Sequence, residues 1–213
     1  MRIDDWLRRG ACVAMLAASP LLHASLLDDF LAAVANDRGG DVRAMLARGV
    51  DPDTVDANGD TALAIAARAG NRSAVDALLA GKPTVDKTNR FGDTPLMLAA
   101  LNGRLEVAKA LRAAGANVNP SGWTPLSYAA TGGHNDMVTW LLAQGAAIDA
   151  PSANGTTPLM MAAREGRFDT AMLLIARGAN VNARNENNVS VLDFAKRTSD
   201  ARLAERLQAA GAH

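Results

Sequence analysis

Residues 92–103 spell GDTPLMLAALNG, residues 122–133 spell GWTPLSYAATGG and residues 155–166 spell GTTPLMMAAREG. The marker triplet inside them recurs as Thr61-Ala62-Leu63, Thr94-Pro95-Leu96, Thr124-Pro125-Leu126, Thr157-Pro158-Leu159 and a degraded Ser190-Val191-Leu192, at steps of 33, 30, 33 and 33 residues. A fixed period near 33 restricts the fold more than any composition does. A unit of that length cannot bury its own apolar face, so it must stack on copies of itself into a solenoid.

Within a unit the residue types dictate two helices. The marker Thr can accept a hydrogen bond from a free N–H of the first helical turn, and Pro suits the next position because it has no N–H to lose. The helix starting there carries Leu96, Ala99 and Ala100 in one unit, Leu126, Ala129 and Ala130 in the next, and Leu159, Ala162 and Ala163 in the one after. Paired alanines let neighbouring backbones approach closely. Gly103, Gly133 and Gly166 follow where left-handed backbone can end the helix. A second helix comes next, LEVAKALRAAG or NDMVTWLLAQG, with Val107 and Leu111, or Val138, Leu141 and Leu142, at helical spacing. It closes at Gly115, Gly145 and Gly178, and a polar turn leads back to the marker, as at Asn58-Gly59 and Asn154-Gly155. Aromatic residues make up 4% of the chain, so cohesion must come from small side chains in tight stacks.

This order of hairpin, TPLHxAAxxG and VVxLLLxxGAxVN resembles the ankyrin repeat over residues 56–183. The resemblance implies an all-α fold, an ankyrin-repeat solenoid of about six helix-pair units joined by β-hairpin fingers. Four full repeats fill 56–183. Residues 26–55 form an N-terminal cap unit with Asp28, Asp29, Asp37 and Arg38 on its polar outer surface, and 184–213 form a C-terminal cap unit. That last unit carries Lys196, Arg197, Arg202, Glu205 and Arg206, with Leu203 and Leu207 kept at core spacing. Together residues 25–213 make one ankyrin-repeat domain.

Three departures from the family pattern carry structural expectations. The His of TPLH is replaced by Ala64, Met97, Ser127, Met160 and Asp193, which removes a hydrogen-bond link between units. The step of 30 deletes three residues from the finger between Asn119 and Thr124 and predicts a notch in the row of hairpins. LLAGKPTVDKTNR shifts its Gly by one and inserts Pro83, so the second helix there should end differently.

Residues 1–24 stand apart from the repeats. Arg2, Arg8 and Arg9, then the apolar ACVAMLAASPLL, then HAS, give the three zones of a secretory signal peptide with a cut after Ala24. An uncleaved anchor is the weaker reading, since the apolar run is short and broken by Pro20. Removal of the leader takes away Cys12, the only cysteine, so the remaining chain suits an oxidising compartment and has no thiolate chemistry. The expected location is periplasmic or secreted, and the chain resembles small exported bacterial ankyrin-repeat proteins.

The formal net charge is zero, with no long basic or acidic run, which argues against a nucleic-acid footprint. Paired catalytic carboxylates, a Ser-His-Asp set, a phosphate-cradling Gly loop and a metal-ligand cluster are all missing from the sequence. The expectation is therefore no catalysis, no cofactor and no metal. The resemblance implies a protein-protein interaction module that meets an unidentified protein partner through hairpin tips and the concave inner-helix face. No membrane contact is expected after the leader is removed, and the chain should be monomeric by itself. Carried over position by position, the partner-binding residues are Asp60 and Arg68, then Arg90, Phe91, Asp93, Leu101 and Asn102, then Trp123 and Thr131. Asn154, Thr156, Arg164 and Glu165 follow, with Asn187 and Arg197 last.

Other readings stand beside these. Trp123 can equally pack across the base of its hairpin, Arg68, Arg164 and Arg197 can be a solvated face, and Tyr128 and Trp140 sit at core spacing. Met97, Met160 and Met161 look like gap-filling core residues. A secreted effector or immunity-type inhibitor is the alternative function, and an enzyme the remote one.

Overall fold

The computed structural model describes residues 20–198 and 201–213, so most of the expected leader lies outside the described residues. Among the described residues twelve helices form six antiparallel pairs: α1 (Pro20–Ala35) with α2 (Gly39–Ala47), α3 (Ala62–Ala69) with α4 (Arg72–Ala80), α5 (Pro95–Leu101) with α6 (Leu105–Ala113), α7 (Pro125–Gly132) with α8 (Asn135–Ala143), α9 (Pro158–Arg164) with α10 (Phe168–Ala176), and α11 (Val191–Arg197) with α12 (Ala201–Ala209). Odd-numbered helices stack on one another into an inner row, and the even-numbered helices lie outside them. As described from Pro20, α1 runs through the expected cut after Ala24 and into the first unit. Among the described residues no helix is long and apolar enough to cross a membrane.

Each repeat helix starts where its cap dictates. The hydroxyls of Thr61, Thr94, Thr124, Thr157 and Ser190 accept from the backbone N–H three residues on, at 3.0–3.4 Å. Such a cap contributes about 1 kcal/mol. Ala66, Ala67, Ala99, Ala100, Ala129, Ala130, Ala162 and Ala163 are completely buried, which is how the inner row comes so close. Leu63, Leu96, Leu126 and Leu159 fill the space behind them.

Two ladders of hydrogen bonds tie successive units. In one, the last residue of each GAxVN-like segment accepts a backbone N–H of the next unit's corresponding segment. Asp53 takes Thr84, Asp86 takes Asn117, Asn119 takes Ala147, Asp149 takes Asn180 and Asn182 takes His213. In the other, the residue that caps the second helix reaches back to a carbonyl ending the previous unit's first helix. Asn71 reaches Val34 and Ala35, Arg104 reaches Arg68, His134 reaches Leu101 and Arg167 reaches Thr131. The residues at the lost His position close their own caps instead: Met97 and Met160 sulfurs and the Asp193 carboxylate accept the N–H of Thr94, Thr157 and Ser190.

The second helix of the first full repeat does end differently. Gly81 stays right-handed at φ −77°, and Lys82 takes the left-handed position at φ 57° that Gly115, Gly145 and Gly178 fill elsewhere.

Candidate interaction surface

Four fingers share one five-residue turn, at 56–60, 89–93, 152–156 and 185–189. Its first residue exchanges a backbone hydrogen bond with its last, as in Asn89 N–H to Asp93 and Asn185 N–H to Val189. The same first residue turns its side chain inward to accept N–H groups at the tip, as Asn89 does from Phe91 and Asp93. These turns satisfy the backbone locally, so the fingers need little strand pairing. Among the described residues there are isolated bridges at Val55–Thr61 and Arg184–Ser190 and no extended strand.

The third finger, at 119–124, where the notch was expected, does not form this turn: the Asn119 N–H goes to the Asn117 side chain, and the Asn119 side chain accepts from Ala147 N–H as a rung between units. Fingers one and two lock together through Asn89 to Asp60 at 2.7 Å and Arg90 to Asn58 at 2.9 Å. Fingers four and five lock through Glu186 N–H to the Asn154 carbonyl at 3.0 Å. A Cβ added at Gly59 or Gly155 would touch the following finger, whereas one added at Gly92 or Gly122 would meet nothing within 4 Å. Fingers two and three therefore stand clear of their neighbours at those points.

On the inner row the same helical positions recur from unit to unit because every helix starts at the same cap. Ile65, Leu98, Tyr128, Met161 and Phe194 share one register, and Arg68, Leu101, Thr131, Arg164 and Arg197 lie three residues further on. Behind the short finger these registers enclose a shallow, open hollow of about 170 Å³ lined by Leu101, Trp123, Tyr128, Thr131 and Met161. Trp123 and Tyr128 meet edge to face, with ring centres 6.2 Å apart. The Tyr128 hydroxyl donates to Asp93 of the preceding finger. Burial first, and then that carboxylate, hold the phenol protonated well above the ordinary tyrosine range.

The residues named from the sequence divide into two groups. Asp60 is buried, with Arg68 at 2.6 Å on one oxygen and Asn89 on the other, so it fixes the finger instead of facing outward. Thr156 is likewise buried, its N–H taken by Ser152 and Asn154. Asp93 is held by Tyr128 and Asn89, and Asn102 by the Leu98 carbonyl. Phe91 is 75% exposed at its tip, with the Arg90 guanidinium 5.4 Å from its ring centre. Arg164 pairs with Glu165 at 2.9 Å, and Arg197 lies over Phe194. Arg90, Arg164, Glu165, Asn187 and Arg197 are exposed, while Leu101, Trp123 and Thr131 are half-buried in the wall of the hollow. Tyr128, placed in the core by its spacing, packs on the core and lines the hollow as well, and Met161 forms part of its floor. Trp140 is half-buried against the core. Register places Tyr128 level with Leu98 and Met161, of which Leu98 does not line the hollow, so register by itself does not single Tyr128 out.

The family profile described as "Ankyrin repeats (3 copies)" matches residues 30–121 and 114–185. The chain belongs to the ankyrin-repeat family. The human ASB11 ankyrin repeat domain, a crystal structure, is similar to it at 27% identity with a TM-score of 0.79, over 86% of this chain and 84% of that one. No match was found among curated proteins. Ankyrin repeats are generally protein-protein interaction modules and serve as a binding scaffold more typically than as an enzyme. In this ankyrin array, three His, Cys, Asp or Glu side chains do not converge anywhere among the described residues.

Proposed function

We propose that this protein binds a protein partner, without catalysis, across its finger tips and the concave face of the inner row. The observation that carries the proposal is the exposed Arg90–Phe91 tip beside an open aromatic hollow. Phe91 stays 75% exposed with the Arg90 guanidinium on its ring, and exposed apolar side chains and Arg are features of protein-binding surfaces. The leader-like residues 1–24 support export, and we place the working protein in the bacterial periplasm or outside the cell. Cell fractionation tests that part: retention in the periplasm supports a resident adaptor, appearance in the medium supports an effector, and a cytoplasmic protein with residues 1–24 intact overturns export.

Affinity capture with the full chain, followed by mass spectrometry, tests the binding itself. Phe91→Ala and Arg164→Glu should each weaken recovery of the same captured protein while leaving the melting temperature unchanged. Recovery that is indifferent to both would place the interface elsewhere.

A further inference from the structure

The concave face pairs an apolar hollow with an uneven distribution of charge. Three of its carboxylates are committed within the chain, Asp60 to Arg68 and Asn89, Asp93 to Tyr128 and Glu165 to Arg164, while exposed Glu186 lies further along, on the fifth finger. Two of its cations are not matched in this way. Among the described residues Arg90 meets Asn58 and the Phe91 ring, and Arg197 meets the Phe194 ring, and neither faces a carboxylate. The hollow sits on α5, α7 and α9, between the second finger that carries Arg90 and α11 that carries Arg197.

Resting on the partner-binding reading above, we propose that the hollow takes one long aliphatic side chain of an extended partner segment whose flanking carboxylates reach Arg90 and Arg197. Leu101, Met161 and the two rings offer apolar surface that one inserted side chain would remove from water. The hollow is open at its side, and a Cβ added at Gly92 or Gly122 on the fingers beside it would meet nothing within 4 Å. Stacking on Phe91 and Phe194 holds each guanidinium near a fixed place, so less side-chain freedom is lost when a carboxylate arrives. Helices in such a row lie about 10 Å apart and an extended chain rises about 3.3 Å per residue. The carboxylates should therefore stand roughly three to six residues from the apolar anchor.

The test uses dye-labelled synthetic peptides of about twelve residues, long enough to cross three helix spacings, titrated into the full chain by fluorescence anisotropy. One is acidic with a single central leucine, the second has glycine at the centre, and the third has lysines in place of the carboxylates. The acidic leucine peptide should bind about tenfold or more tighter than the glycine peptide, and the lysine peptide should bind least. Arg90→Glu and Arg197→Glu should each weaken the acidic peptide severalfold and flatten its salt dependence, and Thr131→Glu, which sets a carboxylate in the wall, should abolish it. Circular dichroism confirms that each variant is folded, and the peptide series decides the matter even if one is not. Equal binding of the leucine and glycine peptides, preference for lysine, or no binding at all would overturn the proposal. Self-association in sedimentation that Thr131→Glu removes would overturn it too, by making a second copy the occupant. A captured protein that depends on Phe91 and Arg164 but ignores Thr131→Glu and Arg197→Glu would sink this inference and leave the broader reading in place.

Discussion

The row of fingers and the links between units behave differently along the same stack. The inter-unit hydrogen bonds hardly vary: five successive GAxVN-like segments each hand an N–H to the side chain before, through the short third finger as through the others. The fingers fall into a locked pair, a short solitary member and a second locked pair. Cohesion therefore resides in features that every unit repeats, while the exposed chemistry resides where one unit departs from the pattern. A solenoid tolerates the departure because each unit needs only its neighbours' buried faces.

The largest effect should come from breaking what repeats. Leu126 is completely buried at the centre of the inner row, so Leu126→Ala should lower the unfolding free energy by about 2–5 kcal/mol in urea titrations. A loss near zero would mean that the stack is not one cooperative core. Asn119→Ala removes a rung that both accepts from Ala147 N–H and donates to the Gly145 carbonyl, and should cost about 1–2 kcal/mol by the same measurement. Lys82→Gly acts in the opposite direction. It relieves a left-handed backbone at φ 57° on an exposed residue and should stabilise the protein by roughly 1 kcal/mol, visible as a raised melting temperature.

Two smaller effects sharpen the contrast. Lengthening the third finger by inserting three residues between Asn119 and Ser121 should change stability by less than about 0.5 kcal/mol, since loops pay little for added length, yet weaken the acidic leucine peptide by narrowing the hollow. Unchanged binding would separate the notch from the site. Tyr128 is the only tyrosine, so phenolate absorbance reports it alone. It should ionise above the ordinary tyrosine range, and Asp93→Ala should move it back down part of the way, with burial retaining the rest. A titration at the ordinary value would show that the ring is not held as described.

The period, the caps, the left-handed glycines and the shifted end of α4 were legible in the sequence because each is a local matter. Thr94 caps Met97 three residues away, and Lys82 is forced positive by its place in the count from α4. The notch was legible too, as a missing three residues. Asp60 and Thr156, expected at the partner surface, are buried, which their place on a finger does not reveal. Asp60 is covered by Asn89 of the next finger and by Arg68 of its own inner helix, contacts 29 and 8 residues away. Tyr128 does pack on the core, as its spacing predicts, and it lines the hollow as well. Helical spacing says that a residue faces inward, and it does not say that the finger in front of it is too short to close over the ring.

What the sequence determined by itself was the unit and its repetition, since hydrogen bonding within a turn or a helix cap is settled over three or four residues. Which of the repeated positions stay free emerges only in the assembled stack: Phe91 open, Asp60 sealed, and Leu101, Trp123, Tyr128 and Met161 brought round one hollow. That choice depends in large part on side chains of successive units meeting across the stack, as Asn89 meets Asp60 and Tyr128 meets Asp93, and no rule within one helix or turn fixes it.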